Sequence, residues 1–278
     1  MKTSSHKMLL ALACLAVTGK AMADKPLWEA GAGVAAVNFP DYRGSDQRRS
    51  YMLPVPYIVY RGEFLKVERE KVRGLLFKSE KTELDISVNG AVPVKSSKNR
   101  ARAGMPNLSP SFEIGPSLNL TLFRSENKNS QLDLRLPLRP VFAVSSSGVR
   151  NEGWLFQPQI NLDLRNISAL PEWNVGILTG PIFGDTRYHQ YVYGVEPAYA
   201  TPTRPAYQAR GGYAGMQFIS AISKRSRNYW MGAFIKLDTL NGAVFADSPL
   251  VRSRTNASAG FAISWVLDVS KTMVKDEE

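Results

Sequence analysis

The sequence has a single cysteine and only two histidines among 278 residues, and each scarcity closes off a class of chemistry. Cys14 and His6 both lie in the first 23 residues, which have the form of a secretory leader. Lys2, His6 and Lys7 make a basic start, Met8 to Thr18 is apolar, and Ala21-Met22-Ala23 fits the small-x-small cleavage rule, so the cut is expected between Ala23 and Asp24. Ala11-Leu12-Ala13 resembles a lipoprotein box only loosely, because few apolar residues precede Cys14 and others follow it. Without residues 1–23 the chain has no cysteine, which excludes disulfides, zinc–thiolate sites and thiol catalysis. Long apolar runs are also missing: after Ala23 nothing approaches the roughly eighteen residues that a membrane helix needs. No Gly-rich phosphate loop, clustered metal ligands, solenoid repeat or dividing linker is present, and no cofactor is expected. Residues 24–278 are therefore read as one domain.

The charge is basic but dispersed. Loss of Lys2, Lys7 and Lys20 with the leader lowers the formal net charge from +11 to +8. No block of five or six like charges occurs, and an exported chain meets lipopolysaccharide phosphates and outer-membrane lipid rather than nucleic acid, so no nucleic-acid partner is expected.

What the sequence does have is a period of two, held over segments of ten residues or more. Phe112, Ile114, Leu118, Leu120 and Leu122 alternate with Glu113, Gly115, Ser117, Asn119 and Thr121. Leu132, Leu134, Leu136 and Leu138 alternate with Asp133, Arg135 and Arg139, and Ile160, Leu162 and Leu164 with Asn161, Asp163 and Arg165. Successive side chains of a strand point to opposite faces, so each segment has one apolar and one polar face. Soluble strands average five or six residues, whereas tilted membrane strands need nine to eleven.

Strands are expected near 27–38, 51–61, 63–69, 72–78, 82–92, 110–124, 130–143, 153–165, 172–184, 210–223, 228–240 and 256–267. Short connections alternate with long ones at 39–50, 93–109, 185–209 and 241–255, the pattern of periplasmic turns and external loops. Joining 63–69 to 72–78 leaves eleven strands and reverses the sidedness of every later loop. The expected fold is thus all-β, a transmembrane antiparallel up-and-down β-barrel of about twelve strands, with ten as the alternative, in the outer membrane. Trp28, Tyr57, Tyr60, Trp173, Tyr229 and Trp265 fall near expected periplasmic strand ends and Trp154 near an external one, as in two aromatic girdles. Pro54 and Pro56 predict a bulge in their strand, and Gly31 and Gly33 close backbone approach or tight curvature.

The last strand, Ser258-Ala259-Gly260-Phe261-Ala262-Ile263-Ser264-Trp265, resembles the β-signal read by the barrel-assembly machinery, with Ser258, Gly260, Ile263 and Trp265 at its key places. A polar tail, 268–278, follows it.

Several local patterns resemble the MipA/OmpV family of outer-membrane proteins: Trp28-x-x-Gly31-x-Gly33, Pro40-Asp41-Tyr42-Arg43-Gly44-Ser45, Pro54-x-Pro56-Tyr57-x-x-Tyr60, Tyr191-Val192-Tyr193-Gly194-Val195 and Ser248-Pro249-Leu250-Val251. They span nearly all of the mature chain. The resemblance implies a non-enzymatic scaffold barrel, because the family's name-giving member is regarded as an adaptor between a murein lytic transglycosylase and a peptidoglycan synthase. Those two enzymes are the partners it implies. The alternative is a pore or envelope-permeability protein for small solutes, with adhesive external loops.

Catalysis finds little support. His189 is the only histidine after the leader, and no serine has a context that nominates it as a nucleophile. The remaining candidates are the polar residues of the inner face: Glu113, Asp133, Arg135, Arg139, Asp163, Arg165, Lys236 and Asp238. Opposite charges on neighbouring strands pair across a ladder. Such a set suits a salt-bridged, water-containing interior, or a selective solute path.

Overall fold

The computed structural model describes residues 25–62, 64–67, 72–167 and 170–274; the leader and its cleavage site lie outside them. The wall opens with β2 (Trp28–Pro40), β3 (Arg48–Arg61), β4 (Leu65–Val67), β5 (Val72–Lys78) and β6 (Thr82–Ala91), after a two-residue β1 (Lys25–Pro26). It continues through β7 (Ser111–Arg124), β8 (Ser130–Ser145), β9 (Gly148–Phe156), β10 (Gln159–Ile167), β11 (Leu170–Gly184), β12 (Gly212–Arg225), β13 (Tyr229–Thr239) and β14 (Thr255–Val269). Each strand pairs antiparallel with its neighbour, and β14 pairs with β2, closing the ring. β9 and β10 both lie between β8 and β11 and act as one wall strand broken at Gln157-Pro158, where proline has no N–H to give. Counted so, the barrel has the twelve strands expected.

Alternation sorts the side chains. Met52, Ile58, Leu122, Ile235 and Phe261 point outward and are exposed, as a lipid-facing surface requires. Glu29, Asp85, Glu113, Asp133, Arg139, Asn161, Gln217 and Asp238 point inward and are buried. Within the β-signal segment Ser258 is buried and inward, Gly260 lies against Phe234, and Trp265 is exposed outward.

Two expectations need correction. Tyr57 is not part of an interfacial girdle: it is 3% exposed and opposite Gly31 on the inner face. Nor is β3 bulged at Pro54 and Pro56, because its register with β2 runs unbroken from Pro40↔Arg48 to Trp28↔Tyr60. The prolines are tolerated for another reason. β3 meets β4 only through Tyr60↔Val67 and Arg61↔Lys66. The Arg61 N–H donates to Leu27 O on the β2 side, at 2.8 Å. Residues of one parity aim their N–H groups the same way, so those of even positions face away from β2, and the prolines sit where no strand is paired among the described residues.

Gly31 and Gly33 do mark tight curvature. A Cβ on either would strike the carbonyl oxygens of Trp265 or Ile263 on β14. At the periplasmic end, β1 pairs with β15 (Met273–Val274), and Leu27 N donates to Thr272 O at 2.9 Å, so residues 272–274 fold back onto the first described residues.

Candidate functional site

Most inner-face charges are matched on neighbouring strands. Arg139 Nε donates to Glu113 Oε2 at 2.9 Å, and its other nitrogens reach Ser87 Oγ and Gln157 Oε1. Arg135 lies between Asp163 at 3.3 Å and Asp133 at 3.6 Å. Asp133 also accepts from Gln131 Nε2 and Thr121 Oγ1, and Asp163 from Asn161 Nδ2. Lys236 is 3.5 Å from Asp238, which is also bound by Arg43 Nε at 2.9 Å. Arg165 is half-buried on the inward parity of β10, beyond Asp163. Seven of the eight candidates therefore fall into three separate ion-paired groups rather than one constellation.

A further cluster lay hidden in the sequence. Glu29 on β2 accepts from Arg61 Nη2 at 2.6 Å, from Arg225 Nη2 at 2.8 Å and from Tyr57 Oη at 3.1 Å. Arg225 comes from β12, so it reaches past β13 and β14 to β2 and β3. The inward parity of β2, read back from Gly33 through Gly31 to Glu29, was the available signal; the partner 196 residues away had none.

At the external end, the loops fold together. Loop 185–211 carries α1 (Thr186–Tyr193), capped by Asp185 Oδ1, which accepts from Tyr188 N. Tyr42, Val94, Leu108, Val192, Tyr193, Leu240, Ala243 and Phe245 form one apolar core with the inward strand residues Val141, Leu155, Ile182 and Ala214. Phe245, Leu240 and Leu250 are fully buried. The Tyr193 ring stacks on Phe245 with centroids 3.7 Å apart and meets Tyr42 edge-on at 6.3 Å.

Polar groups stitch the same cap. Tyr42 Oη donates to Leu250 O at 2.8 Å, Tyr193 Oη to Arg43 O at 2.9 Å, and Ser248 Oγ to Tyr193 O at 2.8 Å. Asn256 accepts from Gly44 N and donates to Ser45 O, while Asn99 Nδ2 donates to Asp41 Oδ2 and Ser45 Oγ. Three patterns far apart in sequence, around Tyr42, Tyr193 and Ser248, thus meet in one place, with roles in loop geometry. Arg102 is buried in the cap and donates to Val192 O and Pro106 O, with its guanidinium over the Tyr42 ring. Burial lowers the Arg102 pKa and pushes the Tyr42 phenol up to about 12.

His189 is part of this core. Its Nδ1 lies 2.6 Å from Arg210 O, its ring meets Phe245 edge-on at 4.6 Å, and its buried Nε2 has no protein partner. Burial lowers its pKa, which favours the neutral ring. Its contacts are a carbonyl and aromatic faces rather than a serine hydroxyl. Outside the core the cap is cationic, with Lys95, Lys98, Arg187, Arg210, Arg252 and Arg254 all exposed.

Among solved structures, the chain is similar to a bacterial polysaccharide outer membrane secretin, at 8% identity and a TM-score of 0.40, covering 86% of this chain and 99% of that one. It is also similar to a FadL homologue of Pseudomonas aeruginosa (7%, TM-score 0.29, covering 87% and 90%) and to the outer membrane protease OmpT of Escherichia coli (8%, 0.29, 88% and 97%). No curated protein matches the sequence significantly. The family model described as MltA-interacting protein MipA matches residues 32–267, through the whole ring from β2 to β14, and the chain belongs to that family of outer-membrane β-barrel proteins.

Proposed function

We propose that the protein is a non-conducting, non-enzymatic scaffold of the cell envelope, and that it links a murein lytic transglycosylase to a peptidoglycan synthase on its periplasmic side. The observation that carries this reading is the dry core of the external cap, in which loop residues pack against inward side chains of β8, β9, β11 and β12. A solute path would need that core to open. Apolar packing of this kind is costly to disrupt, at about 3–5 kcal/mol for each large aromatic side chain removed. The inner-face ion pairs then serve the wall: buried charges are matched, and removing one partner leaves the other uncompensated.

On this reading the short turns present the interaction surface, together with the tail that folds back through β15. The exposed cations of the cap suit the phosphates of lipopolysaccharide, which surround any external loop. A photo-crosslinking residue placed in turn 125–129 or 226–228 tests the scaffold role in intact cells. Capture of a murein hydrolase or synthase supports it. Capture of neither, from turns shown to be labelled, overturns it. A pore reading has one observation in its favour: several inner charges, Arg135, Asp163 and Lys236 among them, keep partial solvent access.

A further inference from the structure

We propose that the inner wall beside β3 binds a single-chain amphiphile with an anionic head, at a site that opens toward the membrane. The opening follows from the ladder. β5 pairs with β4 and β6, yet β3 from Arg48 to Val59 has no strand on its far side among the described residues. Lipid offers no hydrogen bonds to such an edge. Pro54 and Pro56 remove two of the N–H groups that would face it, which reduces the cost of leaving the sector unpaired.

The surface behind this opening is apolar. Phe39 and Val37 on β2 stand opposite Arg49 and Tyr51 on β3, with Leu53 and Val55 following toward the periplasm. Phe234 on β13 lies beside Gly260 and Val37. Tyr51 to Val55 alone runs for about 13 Å at ~3.3 Å per residue. Leu53 shares the inward parity of Tyr57 yet is 43% exposed, whereas Tyr57, four positions on, is buried. A leucine kept accessible inside a barrel leaves apolar area unburied, and an alkyl chain laid along it would recover that burial.

The head-binding chemistry sits at the top of the strip. Lys236 follows Phe234 on the same face of β13, and Arg43 reaches down from the cap. Both cations bind one carboxylate, Asp238, at 3.5 and 2.9 Å. Arg43 Nη2 is buried and has no hydrogen-bond acceptor in the protein. Two cations against one acid, with an N–H donor unsatisfied, is the arrangement that a carboxylate head completes. This inference does not depend on the scaffold role, and bilayer conductance does not test it.

The test uses the full mature chain in lipid nanodiscs, with radiolabelled decanoate in equilibrium dialysis against empty nanodiscs. The expected result is saturable binding of a single equivalent. Lys236→Met should bind about tenfold more weakly, in line with loss of a charge-assisted hydrogen bond, and unlabelled decanol should compete poorly. Leu53→Asp should abolish binding; because Leu53 is exposed, its urea unfolding midpoint should stay that of the wild type. Uptake no greater than in empty nanodiscs overturns the proposal. So does unchanged affinity in Lys236→Met, which holds even if Leu53→Asp fails to fold.

Discussion

The two sides of the barrel interior solve the problem of a lipid-embedded wall differently. From β6 to β10 the strands are paired on both edges and the inner face is charged, with Arg139 on Glu113 and Arg135 between Asp133 and Asp163. Around β2, β3 and β13 the inner face is small or apolar between two ion-paired ends, Glu29 with Arg61 and Arg225 at one and Asp238 with Lys236 and Arg43 at the other; glycine lets β2 press against β14, and β3 keeps a largely unpaired edge among the described residues. One side holds itself by matched charge and complete ladders. The other is kept in place by its single continuous ladder to β2 and by the cap above it. Stability and ligand capacity are thus placed on different arcs of the same ring.

Substitutions that act on one side only will sharpen the contrast. The largest effect is expected for Glu113→Ala, which leaves Arg139 buried with an unmatched charge; urea unfolding in lipid vesicles should show a loss of about 3–5 kcal/mol. A proline scan comes next. Leu134 on β8 pairs with Leu120 on one edge and Ile160 on the other, so Leu134→Pro should cost about 3 kcal/mol. Met52 has the parity of Pro54 and a partner only on β2, so Met52→Pro should stay within about 0.5 kcal/mol of wild type. Equal losses at the two positions would break the comparison.

Smaller effects should come from the cap that joins the two sides. Tyr42→Phe removes the bond to Leu250 O and should cost about 1 kcal/mol. The smallest is a pH dependence. Burial holds His189 below its ordinary value near 6.5, so the cap prefers the neutral ring. Its contribution is complete above that value and is lost as pH falls through the lowered one, when the docked ring must take up a proton. Amide exchange across residues 186–193 should therefore quicken below pH 6.5, and His189→Phe should flatten the response.

Much of the wall was legible because strand geometry is local. A period of two over ten or more residues needs no knowledge of the partner strand, and it named both faces of β7, β8 and β10 from residues such as Leu132 and Asp133. The single strand expected at 153–165 is interrupted, yet Pro158 stood in the sequence as the reason. The cap was not legible, because its contacts join residues up to 212 positions apart and loop sequences carry no period. Tyr191-Val192-Tyr193 and Ser248-Pro249-Leu250 were visible as motifs, but only folding shows that they meet. Tyr57 misled for a related reason: an aromatic near a strand end suits a girdle or an inner ion-pair cluster, and only parity against Glu29 decides.

The central claim is that the folded loops shut the external mouth, and planar-bilayer recording of the purified barrel tests it most directly. A silent wild-type protein, with transient openings appearing in Phe245→Ala, is the predicted result. Steady open-channel steps in the wild type, shifting when Arg135 and Arg139 are neutralised, would contradict it.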